Sequence, residues 1–347
     1  MNPAKKRIEI LEYLRGFALF DIIFANILPI LEYFSYRHGL PVVTYQSNVD
    51  LLYNKYLNIL VEAKFFSIFS LLFGIGFYIF FHNAKNKKVN PFVLYIRRSI
   101  VLLLIGCMHQ IFQPGEALLF YAVIGLFLLP LMPLKRRYNL VIGGILLILG
   151  ILRANKIALV LALFVLGYAI GQCQLHQAIY HHKKVLRMML VISFICFVIS
   201  LALLHYFYIA PTYDFVADRM DIKTFEKRYN FYSDLTVYTA PLISLFYILV
   251  FVTLLENTKM KRLFTPFKYY GQMALTNYLG NTALIILVVQ FLSVGIAMSA
   301  MVALLIIVFQ MIFSMLWLRY FRYGPLEYIW RLLTYLQFFS IRKHREY

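Results

Sequence analysis

The sequence predicts an all-α fold: a polytopic transmembrane bundle of about ten spans, both termini cytoplasmic, with a C-terminal amphipathic helix at the interface. Three observations predict it. First, 62% of the 347 residues are hydrophobic and only 14% are charged, and mean hydropathy is +0.74. A soluble domain carries roughly 45–50% apolar and about 25% charged residues, so the solvent is partly lipid. Second, apolar stretches near the roughly 20 residues needed to cross a bilayer core recur along the chain. Third, Lys and Arg concentrate in alternate connections.

The stretches lie near 11–33, 57–82, 94–112, 117–133, 140–152, 157–173, 187–208, 235–256, 269–292 and 295–318. The first follows Lys5, Lys6 and Arg7 and continues to about Phe34 without a small-residue cleavage site. It reads as a retained span rather than a signal peptide. The fifth, 140–152, is the shortest. No strand-type alternation over about ten residues recurs, which argues against a barrel. With the N-terminus inside, cytoplasmic segments hold Lys and Arg over external ones by roughly three to one, the bias that sets orientation. Residues 1–318 form one membrane domain with a charged external loop at 209–234, and 319–347 form a cytoplasmic tail. In that tail Pro325 suits the first turn of a helix, whose Arg and aromatic residues suit an interfacial position.

The net charge of +19 would suggest nucleic acid as the partner of a soluble protein. Here the excess sits in cytoplasmic loops, so membrane lipid is the expected partner and nucleic acid is not. Cys107, Cys173 and Cys196 all fall in apolar stretches and give neither a disulfide framework nor zinc spacing. His176, His181 and His182 occupy a basic loop without Cys or carboxylate ligands and read as solvated charge. No metal is expected.

Polar groups inside spans carry the functional signal, because lipid rejects them and they face protein or water. Glu12, Arg15 and Asn26 share one side of the first span, and Asp21 lies opposite. Snorkelling to the cytoplasmic interface is the bland alternative for Arg15. Glu62 and Lys64 are two residues apart and cannot pair on one helix face, so each needs another partner or a wet vestibule. Arg98 and His109 share a face of the third span, roughly 16 Å apart, and both suit the lining of one passage. After His109, the turn Gln113-Pro114-Gly115-Glu116 re-enters the membrane sharply and lets Glu116 fold back toward His109. A His oriented by a carboxylate is what a general base needs; a His satisfied by a neighbouring carbonyl or Tyr is the alternative. Gln272, Thr276 and Asn277 read as interhelical glue, and Gly167 with Gly171 as a small-residue packing pair.

Several strings resemble the YeiB family of bacterial multi-pass membrane proteins, which carries a C-terminal domain of unknown function. They are Arg7-Ile-Glu-Ile-Leu-Glu-Tyr-Leu-Arg-Gly16, Lys64 to Gly74, Gly106-Cys-Met-His109 with Pro114-Gly115-Glu116, Gly271 to Leu279, and Gly324 to Tyr335. The resemblance implies a bacterial inner, or plasma, membrane location. More distantly, Leu11-Glu-Tyr-Leu-Arg15-Gly16 resembles the opening of sugar O-acetylating membrane acyltransferases, which place a His where this chain has Asn26. Heparan-glucosaminide N-acetyltransferase-like relatives also have Asn there. That resemblance implies acetyl-CoA or another acyl-CoA as cytoplasmic donor, with Arg15 and Arg98 attracting its phosphates. A small-molecule, glycan or lipid-linked acceptor would wait at the outer face. His109 would be the base, Glu116 would orient it, and Asn26 or Lys64 would stabilise the oxyanion. The glycine pair and the same analogy suggest a homodimer. A transporter for a small molecule or lipid precursor is the alternative: interior charges suit it, while no repeat or matching pair of broken helices is legible.

Overall fold

The computed structural model describes residues 3–39, 45, 47–86, 90–173, 183–210 and 221–343. Apart from one isolated bridge between Phe321 and Arg342, the regular structure of these residues is helical. The histidines 176, 181 and 182, and residues 211–220 of the external loop, lie outside the described residues.

Helix α1 (Pro3–His38) is the central element, packing on five of the helices introduced below. α2 (Asn48–Leu60) starts at a capping box in which Ser47 and Asp50 bond each other's backbone N–H. α3 (Lys64–Asn86) follows after a break at Val61–Ala63, where Ala63 has φ +64. The second expected span is therefore interrupted rather than continuous. α4 (Pro91–His109) starts with Asn90 as N-cap and Pro91 in its first turn.

Three shorter helices follow: α5 (Ala117–Leu126), α6 (Arg136–Leu152) and α7 (Lys156–Gln172). Next come α8 (Lys183–Tyr206), α9 (Ile222–Glu256) and α10 (Thr258–Leu263). α11 (Thr265–Gln272), α12 (Ala274–Phe291), α13 (Ile296–Tyr320) and α14 (Pro325–Tyr335) complete the described helices. The ninth expected span is also broken, at Met273. The loop expected at 209–234 is shorter than that range, because α9 already begins at Ile222 under an Asp221 cap.

Seven helical stretches are long and apolar enough to cross a bilayer. The fourth, fifth and sixth expected spans hold α5, α6 and α7, with 10, 17 and 17 residues. α1 packs on α3, α9, α11, α12 and α13. At two crossings glycines let backbones touch. A Cβ on Gly16 would strike the Phe267 carbonyl of α11, and one on Gly167 would strike the Leu71 carbonyl of α3. Small residues at contacts of this kind replace the hydrophobic drive that lipid removes. The Gly167 and Gly171 pair thus faces α3 of the same chain. By contrast α8 exposes Val191, Ile192, Phe194, Ile195, Val198 and Ile199, the surface a lipid-facing helix presents.

α14 packs against α4 and α12, and the chain then returns so that Arg322 N–H donates to Ile341 O at 2.8 Å. The Lys343 ammonium donates to the Leu318 carbonyl.

Candidate functional site

A cavity of about 660 Å³ runs through the bundle, walled by α1, α3, α4, α5, α7, α11, α12 and α14. Phe65, Phe66, Phe69, Phe73 and Tyr121 give it an aromatic lining. Arg15, Arg98 and Arg331 line one end, and Glu62, Lys156 and Gln113 line the other. Both helix breaks border it, through Val61, Glu62 and Ala63 and through Gln272 and Ala274. A second cavity of about 380 Å³ shares Arg15, Phe80, Arg331 and Tyr335 with the first.

At the arginine end, α14 acts as a wall. The Arg98 guanidinium sits 3.5 Å from the centre of the Trp330 ring and 5.0 Å from that of Phe80. Trp330 Nε1 in turn donates to the Arg98 carbonyl at 3.0 Å. Arg331 stands within 5.4 Å of the Tyr323, Tyr335 and Phe339 ring centres. Its Nε is buried with no hydrogen-bond partner. Arg15 lies against Gly76, where a Cβ would come within 2.7 Å of Nη2. Aromatic faces favour these cations, yet none makes an ion pair among the described residues.

Beside them Glu327 accepts from Leu275 N–H at 2.7 Å, Thr276 N–H at 3.0 Å and the Thr276 hydroxyl at 2.6 Å. A carboxylate there caps α12 and faces the positive end of its dipole. Burial pushes the Glu327 carboxyl above its ordinary value, and the bonds from Thr276 and Leu275 oppose that rise.

The other end holds the His–carboxylate pair expected from the turn after α4. His109 Nδ1 lies 3.3 Å from Glu116 Oε2, and both residues are buried. Glu116 is also the N-cap of α5, accepting from Leu118 N–H at 2.9 Å and Leu119 N–H at 2.5 Å. Gly115, at φ +75, makes the turn that brings it back. On the opposite side of the ring, His109 Nε2 lies 2.9 Å from Thr282 Oγ1 of α12. The Thr282 hydroxyl donates to Gln113 Oε1 at 2.9 Å. Tyr278 meets the imidazole edge-on at 5.4 Å, and its hydroxyl accepts from Ala117 N–H.

His109 itself does not line the cavity, against the expectation that it and Arg98 border one passage. Gln113 and Tyr278 form the wall in front of it. The reason is local: α4 ends at His109, so the ring turns toward the α5 cap and α12 rather than along the Arg98 face. Asn26 lines the cavity. Lys64 stands apart. It is fully buried, and Nζ donates to the Asn58 carbonyl at 2.9 Å. Glu62 finds its partner on α7, with Lys156 Nζ at 3.2 Å.

Glu12 accepts from Gln272 Nε2 at 2.7 Å, and Asn277 Nδ2 donates to Tyr270 O and Ser314 Oγ. The glue role read from these amides holds. Thr282, Tyr278, Arg331, Trp330 and Glu327 escaped the sequence reading as site residues. Arg331 and Glu327 carried a usable signal as charges inside an apolar C-terminal stretch, and Thr282 as a polar group at helical spacing with Tyr278.

Residues 170–337 match the family described as protein of unknown function (DUF418). An uncharacterized 39.9 kDa protein in the amylase 3′ region of Bacillus acidopullulyticus is 38% identical over 98% of this chain and 97% of its own. Uncharacterized protein YxaH of Bacillus subtilis is 26% identical, covering 97% of this chain and 96% of its own. Uncharacterized protein YeiB of Escherichia coli is 44% identical over 70 residues, 18% of each chain. No solved structure matches. With its all-helical polytopic bundle, its DUF418 region and these relatives, the chain belongs to the YeiB-like family of multi-pass membrane proteins.

Proposed function

We propose that the protein is a plasma-membrane acyltransferase, moving an acyl group from a cytoplasmic thioester donor of the acyl-CoA type to an acceptor at the outer face. One observation carries the reading. A single cavity joins three arginines without carboxylate partners to a wall backed by a buried His–Glu pair. Arginines without partners attract phosphates. The aromatic lining suits an uncharged thioester arm, and a carboxylate-oriented imidazole handles protons. Arg15 and Arg98, joined by Arg331, hold the donor. His109 is the base and Glu116 fixes its tautomer. The Asn26 amide at the cavity wall is placed to donate to a developing oxyanion. The acceptor is a small molecule, glycan or lipid-linked hydroxyl or amine.

Binding of acetyl-CoA and free CoA to the detergent-purified protein, by calorimetry, tests this. Saturable binding that weakens about tenfold or more in Arg15→Ala and Arg98→Ala is expected, the scale of one lost charge-assisted contact. Absence of binding at millimolar CoA removes the donor site and with it the reading.

A second reading, a transporter, draws on the two helix breaks bordering the cavity, the device that lines binding sites in many carriers. Accumulation of a solute in proteoliposomes, chemically unchanged, favours it.

A further inference from the structure

We propose that Thr282 carries the acyl group between donor and acceptor as an ester on its hydroxyl. The proposal rests on the acyltransferase reading above. Its basis is the order hydroxyl, imidazole, carboxylate: Thr282 Oγ1 to His109 Nε2 at 2.9 Å, and His109 Nδ1 to Glu116 Oε2 at 3.3 Å. This is the arrangement by which a neutral base activates a hydroxyl while a third group holds its tautomer. The three groups come from α12, the end of α4 and the cap of α5, so no single helix imposes their meeting.

Two other threonines in the bundle behave differently. Thr239 returns its hydroxyl to Leu235 O at 2.8 Å, and Thr253 to Leu249 O at 2.7 Å. That is the ordinary way a helix satisfies an isolated hydroxyl. Thr282 instead turns to His109 and Gln113, away from its own backbone. It is one side chain from the cavity, because Gln113 and Tyr278, which both touch the cluster, form the wall. When Gln113 turns aside, the thioester reaches Oγ1 and the hydroxyl proton, until then donated to Gln113 Oε1, is free to turn to His109 Nε2.

The chemistry balances within these groups. His109 Nε2 takes the hydroxyl proton as Oγ1 bonds the thioester carbonyl carbon. The C–S bond then breaks, and the sulfur leaves with the proton from Nε2 as free thiol. In the second half, the acceptor oxygen or nitrogen gives a proton to Nε2 and attacks the Thr282 ester. Oγ1 leaves with that proton, and the site is restored. A covalent stop also explains how groups separated along the cavity cooperate. Arg98 and His109 are roughly 16 Å apart along α4, so donor phosphates and acceptor never need to meet.

The test mixes purified protein with acetyl-CoA and no acceptor. Wild type releases a burst of one free thiol per chain, and tandem mass spectrometry finds the acetyl group on Thr282. Thr282→Ser retains the burst. Thr282→Val and His109→Ala lose about a thousandfold or more of it, with melting in detergent checking that each variant is folded. If thiol release coupled to an acceptor in membrane extract proceeds in Thr282→Val at the wild-type rate, transfer is direct: the Thr282 assignment falls and the acyltransferase reading stands. If Thr282→Val does not fold, wild-type mapping decides, and turnover with Thr282 unmodified overturns the assignment. If wild type shows neither burst nor transfer with acetyl-CoA, both readings fall together.

Discussion

The two ends of the cavity treat charge in opposite ways. At one end Arg15, Arg98 and Arg331 rest on Gly76 and on aromatic rings, with no carboxylate in ion-pair range among the described residues. At the other, Lys156 is paired with Glu62, and Glu116 with His109. Aromatic faces stabilise a guanidinium without cancelling its charge, whereas a carboxylate cancels it. The first end therefore keeps guanidinium charge that no ion pair cancels, beside the Glu327 carboxyl, whereas the second pairs its charges.

The largest effect that sharpens this contrast is expected at Glu116. Glu116→Gln keeps the side chain's size but cannot hold His109 as the Nδ1–H tautomer, so acyl turnover falls about 10³–10⁴-fold. Donor affinity, measured by calorimetry, moves by less than about threefold, because ground-state binding is made elsewhere. A large loss of affinity in that variant would erase the division between the ends.

Next in size, Arg331→Ala raises the Kd for CoA about tenfold and flattens its dependence on salt. An unchanged salt profile would take Arg331 out of the anion site. Smaller again is the Lys156–Glu62 pair, whose side chains are 52% and 38% exposed. Lys156→Ala shifts stability by no more than about 1 kcal/mol, since exposed ion pairs contribute little. A larger fall in Tm would show that this end depends on its charges after all.

The smallest effect lies outside the cavity, where Glu9 accepts from Lys261 and Lys268, both at 2.8 Å. Burial pulls the Lys268 ammonium down, but the hydrogen bond and charge of Glu9 outweigh it and hold it above the ordinary lysine value. Its folded value is raised, so its stabilisation is fully present below the unfolded lysine range and is lost as pH rises through the folded value. The Tm gap between wild type and Glu9→Gln should therefore be constant near neutrality, close at alkaline pH as Lys268 loses its proton, and close at acid pH as Glu9 gains one.

Legibility followed distance along the chain. The His109–Glu116 pair could be read because seven residues and a Pro-Gly turn separate its members. The polar amides Gln272 and Asn277 could be read as glue because a buried amide in lipid must find a partner. The break at Val61–Ala63 could not, since neither Gly nor Pro marks it and only Ala63's positive φ makes the turn. Trp330 reads as an interfacial aromatic until α14 folds back over Arg98.

What the amino-acid sequence determined by itself is the solvent and the elements: too few charges to face water, apolar stretches of span length, and basic loops that alternate. Those follow from composition and local pattern, because lipid demands internally bonded helices. Tertiary structure alone decided which faces meet. Thr282 lies 173 residues from His109, on a buried stripe of α12 that also holds Asn277, Tyr278, Asn281 and Ile285. Spacing of that kind marks an inward side but does not say which partner that side meets. Only packing, with glycines setting how closely backbones approach, turns that hydroxyl toward the imidazole.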